Sequence, residues 1–187
     1  MVSLTTPICD FGRSAKDFQL SGVDNKHWNI ESIKGANGLV VMFICNHCPY
    51  VKAIMSRLVN DVNELKKFGI NTIGISSNDV VNYPEDSFEN MKLLAEENHF
   101  EFPYVYDETQ EIAKAYDAIC TPDFFGFNSK LELQYRGRFD STGRGEAQPN
   151  NKRDLFEAMK LVAETQKGPE IQHASIGCSI KWKEKHI

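Results

Sequence analysis

The chain lacks any apolar run near the ~18 residues that a membrane-crossing helix needs. It also lacks an excess of positive charge. Lys and Arg number 21 against 26 Asp and Glu, for a formal net charge of −5, which argues against nucleic acid or an anionic membrane surface as the main partner. The opening residues Met1-Val2-Ser3-Leu4-Thr5-Thr6-Pro7 carry neither a basic nor an apolar stretch, so no signal peptide is read and a cytoplasmic location is expected. There is no internal repeat, low-complexity tract or linker. The 187 residues are therefore expected to form one domain over 1–187, large enough to bury a core without disulfides or metals. Residues 166–187 are expected to be a C-terminal tail. No cofactor is expected.

Five cysteines stand out against that ordinary composition: Cys9, Cys45, Cys48, Cys120 and Cys178. A cytosolic chain does not use cysteines as permanent staples, and an odd number cannot pair completely. They are core filler, metal ligands or redox groups. Cys9, with no supporting motif, is read as filler, since free Cys is among the most buried residue types.

The hydrophobic pattern predicts an α/β chain. Residues 16–20 and 26–30 read as short strands around a turn at 21–25, and 31–34 as a helical turn. Leu39 to Ile44 is apolar without alternation, as in a central strand covered on both faces. Apolar side chains at Ile54/Met55, Leu58/Val59, Val62, Leu65 and Phe68 follow helical spacing over 50–68, and Gly69 is a terminator. Strand 70–76, a helix from Pro84 to about Asn98 and strand 103–106 come next, then helix 109–116. Residues 124–127 and 131–136 form a hairpin around Asn128-Ser129, residues 141–151 a loop, and Asp154 to Thr165 the last helix. Strands separated by helices, then a hairpin and a helix, describe a mixed sheet flanked by helices.

Cys45-Asn46-His47-Cys48-Pro49-Tyr50-Val51 lies where the central strand passes into the long helix. A thiolate there gains from free backbone N–H groups and the positive helix end. Either cysteine could attack. Proline is favoured at the first helical position, so Pro49 makes Cys48 the N-cap, and Cys48 is taken as the nucleophile with Cys45 as its nearest partner. His47 either supports the thiolate as an imidazolium or is a solvated loop residue. Cys120-Thr121-Pro122 precedes a strand, a place where a proline can be cis.

These motifs resemble the thioredoxin-like fold and, within it, the peroxiredoxin-like group of the AhpC/TSA (thiol-specific antioxidant) redoxins. The resemblance rests on Phe43 to Val51, Cys120-Thr121-Pro122-Asp123-Phe124-Phe125 and Ile176 to Lys183. It implies an N-terminal β-hairpin, a redoxin-type helical insertion at about 85–98, a cis Pro122 and an approach of Thr121 to Cys48. Phe43 and Cys48 have the spacing of the thioredoxin strand phenylalanine and nucleophile. The buried partner cysteine would fall at Val51, and the peroxiredoxin Thr would fall at Cys45. The peroxiredoxin arginine has no match before the later strand, although Arg136 and Arg138 follow on the hairpin.

The expected function is thiol–disulfide oxidoreduction, with Cys48 attacking and Cys45, or else Cys120 or Cys178, resolving. Its partners would be a disulfide-containing protein or a small thiol or peroxide, with an external thiol as electron donor. Redoxins often pair, so a homodimer is in view. The alternatives are a thiol peroxidase, and a non-catalytic or metal-binding redoxin in which Cys45 and Cys48 are joined by Cys120, Cys178 or His173.

Overall fold

The computed structural model describes residues 2–146 and 150–184. In chain order its elements are β1 (Ser3–Thr5), β2 (Leu20–Gly22), β3 (His27–Trp28), α1 (Ile30–Ile33), β4 (Gly38–Phe43), α2 (Pro49–Leu65), β5 (Ile70–Ser76), α3 (Phe88–Glu97), β6 (Tyr104–Tyr106), α4 (Glu111–Ala115), β7 (Cys120–Thr121), β8 (Asp123–Asn128), β9 (Leu133–Gly137), α5 (Asp154–Thr165) and β10 (Ile176–Ser179). Among the described residues the strands form a seven-stranded sheet ordered β3-β2-β6-β5-β4-β8-β9 and a three-stranded sheet ordered β1-β10-β7. The larger sheet is mixed: β5 runs parallel to β4 and β6, whereas β8 is antiparallel to β4 and β9. No described helix is long and apolar enough to cross a membrane.

Strand β4 is buried along its whole length, which explains its unbroken apolar run. Successive side chains point to opposite faces. Val40, Met42 and Ile44 join a core with α2 and α5, while Leu39, Val41 and Phe43 join a second core with α1, α4 and Phe125. Cys45 and Cys48 belong to the first of these. Helix α2 turns Val51, Ile54, Met55, Leu58, Val62 and Leu65 inward, a helical stripe over the sheet. A 3₁₀ turn at Lys66–Phe68 ends at Gly69, whose φ of 71° is left-handed, a conformation glycine adopts without steric cost.

Several boundaries differ from expectation. The N-terminal hairpin forms, but between Leu20–Gly22 and His27–Trp28. Residues 16–19 stay outside it, where the exposed Asp17 accepts at Oδ1 from the N–H groups of Phe18 at 2.9 Å and Ile30 at 3.1 Å rather than the segment pairing as a strand. Pro84–Asp86 is a 3₁₀ turn, and α3 starts only at Phe88, where Ser87 caps it by accepting from Asn90 N. Helix α4 is confined to Glu111–Ala115. Of the loop expected at 141–151, residues 147–149 lie outside the described residues.

The two ends of the chain pair with one another. The segment after residue 166, expected as a C-terminal tail, folds back onto the domain. Its Ile176–Ser179 stretch is the central strand of the small sheet, pairing Cys178 with Ser3 on one side and with Thr121 on the other. Neither β1 nor β10 is long enough to show a period, and their partners are remote in sequence.

Candidate active site

Strand β4 delivers the cysteine motif to one end of the sheet. The N–H of Ile44 still bonds to Ile75 O at 3.0 Å. The chain then leaves the ladder, and Cys48 occupies the N-cap of α2 with an extended backbone (φ −66°, ψ 120°) and Pro49 just inside. The first turn closes from Lys52 N to Cys48 O. On the far side of the sulfurs stands Thr121, whose peptide bond to Pro122 is cis.

Three thiols converge there, and none is in a disulfide. Cys48 is fully enclosed, with 0% of its surface exposed. Its Sγ–H donates to Thr121 O at 3.0 Å, so in the thiol form it makes no cap bond to the helix. Cys45 Sγ lies 3.3 Å from Thr121 Oγ1. The thiols of Cys45 and Cys178 both hydrogen-bond to Cys48. Cys45 does most to lower the Cys48 pKa. Burial opposes it, and the Thr121 side chain, the Val51 N–H and Cys178 assist, bringing Cys48 from 9.0 to about 5. Cys45 is pushed well up by the same bond, by burial and by the Asp86 charge. The pair thus yields one proton readily and holds the second tightly. Val51 stands where a thioredoxin would carry its second cysteine. Here it contributes a backbone N–H and a fully buried side chain.

Asp86 organises the loop between the cysteines. It is fully buried. Oδ1 accepts from the N–H groups of Asn46 at 2.8 Å and His47 at 3.1 Å. Oδ2 takes His47 Nδ1 at 2.6 Å and Asn78 Nδ2 at 2.7 Å. The His47 ring stacks on Tyr83 with centroids 5.7 Å apart. Its expected support of the Cys48 sulfur is replaced by this engagement with Asp86. Tyr104 completes the cradle, its buried hydroxyl donating to Asn46 Oδ1 at 3.1 Å. Cys45, His47 and Asp86 lie close enough together for a metal cluster. The Asp86 carboxylate, however, already accepts four N–H donors and has no lone pair left to offer a cation.

Sequence reading missed Asp86, Asn78 and Tyr104. The one available signal was that the backbone N–H groups between Cys45 and Cys48 need an acceptor, and the chain has too many aspartates for that need to select one.

The remaining candidates are dispersed. Cys120, next to Thr121 in β7, is fully buried and donates to Pro122 O at 3.6 Å. Burial foremost, with the Asp123 charge, pushes its pKa well up. Cys9 is half-buried and packs against the second core, and burial, helped by Asp10, raises its pKa to about 11. Arg136 lies over the Phe125 ring at 4.5 Å and pairs with buried Asp123 at 3.0 Å. Phe125 belongs to the core on the sheet face away from Cys48. Arg138 pairs with Asp154 at 2.9 Å. His173 is exposed. Beside the site a cleft of about 340 Å³ is lined by Tyr50, Ile54, Pro122, Phe139, Arg144 and Ile176, among others.

Residues 11–139 match the model of the AhpC/TSA family. An uncharacterized conserved protein from Geobacillus kaustophilus is 44% identical, with 99% of this chain and 98% of that one aligned at a TM-score of 0.93. A hypothetical protein from Sinorhizobium meliloti is 33% identical over 96% of this chain and 97% of its own, at a TM-score of 0.89. A thiol:disulfide interchange protein of the thioredoxin family from Chlorobium tepidum shares the fold at 17% identity, covering 81% and 97% at a TM-score of 0.63. No curated protein matches the chain. The architecture is thioredoxin-like.

Proposed function

The chain belongs to the AhpC/TSA family, and from that premise we propose that it is a thiol–disulfide oxidoreductase whose attacking group is Cys48. The observation that carries this reading is the Cys48 sulfur at a helix N-cap, facing the carbonyl of Thr121 before the cis Pro122, in surroundings, Cys45 foremost, that pull its pKa down to about 5. A thiolate is the nucleophile in disulfide exchange. Here it attacks one sulfur of a protein or small-molecule disulfide, forms a mixed disulfide and releases the other sulfur as a thiolate. A second thiol of the cluster then attacks Cys48 and frees the substrate, and an external thiol restores the dithiol state.

This reading is favoured over peroxide reduction by what surrounds the sulfur. A peroxidase needs donors aimed at the leaving oxygen. Arg136 is paired with Asp123 on the opposite sheet face, and Cys45 stands where the hydroxyl of a Thr would be.

The test is to mix the reduced protein with a protein disulfide and count the thiols released. Reduction is expected in the wild type and in Cys9→Ser, and is expected to be lost in Cys48→Ser. Consumption of peroxide in preference to disulfide, with a sulfenic acid on Cys48, would replace this reading with the peroxidase one.

A further inference from the structure

Cys48, the proposed nucleophile, has no exposed surface. Beside the strand that contacts its sulfur runs β10, formed by the segment after residue 166. Strand β10 lies antiparallel on β7, with Cys178 opposite Thr121 and Ser179 opposite Cys120. Thr121 is also the residue whose carbonyl accepts the Cys48 thiol. This register sets Cys178 opposite the residue that binds the Cys48 thiol, close enough that each of the two thiols shifts the ionisation of the other. Cys178 is itself 2% exposed.

The strap is fitted to this place. A Cβ on Gly177 would overlap the Thr121 carbonyl, so only glycine lets the two backbones approach this closely. Ser175 Oγ donates to Pro122 O at 2.9 Å on one side of Cys178. On the other, Ile180 N bonds to Ile119 O at 3.1 Å and Lys181 N to Asn78 Oδ1 at 2.9 Å. Asn78 in turn holds Asp86, which ties the end of the strap to the cysteine loop.

Resting on the reading of Cys48 as nucleophile, we propose that Cys178 is the resolving thiol and that β10 fills the slot along β7 into which an extended, cysteine-bearing peptide substrate docks by the same backbone pairing. A sulfur that reaches Cys48 by this edge must stand where the Cys178 sulfur stands. A peptide strand that displaces β10 and sets its own cysteine opposite Thr121 meets that condition, as in other cases where a strand is added to an open sheet edge.

The exchange balances in two steps. The Cys48 thiolate attacks the peptide sulfur of a disulfide, forming the Cys48–peptide bond and expelling the other thiolate. When β10 returns, the Cys178 thiolate attacks the Cys48 sulfur, forming Cys48–Cys178 and expelling the peptide thiolate. Solvent protonates both leaving groups. Two electrons have passed from the protein to the substrate, and a dithiol reductant returns them.

Electrostatics sets the order. Burial, then the bond to Cys48 and its charge, hold Cys178 up at about 11, with Lys181 pulling the other way. Once Cys48 is in a mixed disulfide its charge is gone, and both Cys48 contributions vanish. Cys45 would still face burial and the Asp86 carboxylate.

The probe is a synthetic copy of residues 174–181 whose one cysteine carries a thiopyridyl group. Wild-type protein is expected to release thiopyridone, then free peptide, and to end with a Cys48–Cys178 disulfide on peptide mapping. Cys178→Ser and Cys178→Ala are expected to stop at the Cys48–peptide adduct, whereas Cys45→Ser, at whatever rate its altered Cys48 pKa allows, is expected to go on to free peptide and a Cys48–Cys178 disulfide. Exchanging the peptide's glycine for alanine is expected to slow adduct formation about tenfold, the order of an overpacked contact. The proposal is overturned if the adduct accumulates in Cys45→Ser but not in the Cys178 variants, if mapping finds Cys45–Cys48, or if the two peptides react equally fast. Undiminished thiopyridone release by Cys48→Ser overturns the nucleophile itself, and the proposal with it.

Discussion

Replacing Cys45 by alanine removes the largest influence that lowers the Cys48 pKa from 9.0 to about 5. At pH 7 a thiol of pKa about 5 is about 99% thiolate, against about 1% for an ordinary thiol, an advantage of about a hundredfold. Intrinsic nucleophilicity falls as pKa falls, with a Brønsted slope of about 0.4–0.5, so ~4 units cost about 40- to 100-fold. The two effects nearly cancel at pH 7, and a rate at that pH decides nothing. At pH 6 the thiolate advantage grows to about 900-fold while the nucleophilicity loss is unchanged, which leaves a net gain of about tenfold. The pH profile is therefore the informative quantity. Thiolate absorbance in the ultraviolet is expected to rise with a midpoint near 5 in wild type. That step should be absent in Cys48→Ser and move up by at least about one unit in Cys45→Ala. A wild-type midpoint at or above 8, or one unmoved by Cys45→Ala, would refute the reasoning. The linkage has a definite sign. The Cys48 pKa is lower in the folded chain, so its ionisation stabilises the fold fully above the ordinary thiol range, and that contribution is lost as pH falls through about 5.

Other perturbations test the packing around the site. Gly177→Ala sets a methyl against the Thr121 carbonyl. It is expected to cost about 1–3 kcal/mol in urea unfolding and to speed alkylation of Cys48 by loosening β10. Unchanged protection of Cys48 would show that β10 is not its cover. Asp86→Ala deprives four N–H donors of their acceptor and is expected to destabilise by about 3–5 kcal/mol. A loss below about 1 kcal/mol would mean that water replaces the carboxylate without penalty. Arg136→Met leaves the buried Asp123 carboxylate unpaired, for a loss of about 3–5 kcal/mol at pH 7. Burial already raises Asp123 to about 6 against the pull of Arg136. Removing Arg136 raises it further, so the deficit should shrink on acidification as Asp123 becomes neutral. A deficit independent of pH between 5 and 8 would contradict that account.

What the sequence disclosed about this fold and site depended on how local the cause was. The apolar run of β4, the stripe of α2 and Pro49 at the helix start each act within a few residues, and they placed Cys48 at the N-cap before any contact was known. The spacing from Phe43 worked for the same reason. Asp86 holds the loop between Cys45 and Cys48 from about forty positions away through side-chain acceptors alone, and no period marks such a residue. Strand β10 is four residues long, and its partners Ser3–Thr5 and Cys120–Thr121 lie at great sequence distance. Its pairing is set by the large sheet that carries β7 to it. Cys178 could therefore be named as a candidate but not brought to Cys48. By sequence, His47 is open between support of the thiolate and a solvated loop position, and its ring instead engages buried Asp86, a partner that adjacency to Cys48 could not name.

The central claim is that enclosed Cys48, not a more accessible thiol, attacks first. The most direct measurement is peptide mapping of the first mixed disulfide formed when the fully reduced protein meets a limiting amount of an activated disulfide at pH 6, with the reaction quenched by acid. Cys9 is the half-buried competitor, with a pKa raised to about 11. The account predicts that the first adduct, or the intramolecular disulfide that follows it, contains Cys48 despite its burial. A first adduct on Cys9 or Cys45, with Cys48 recovered as an unmodified thiol, would contradict it.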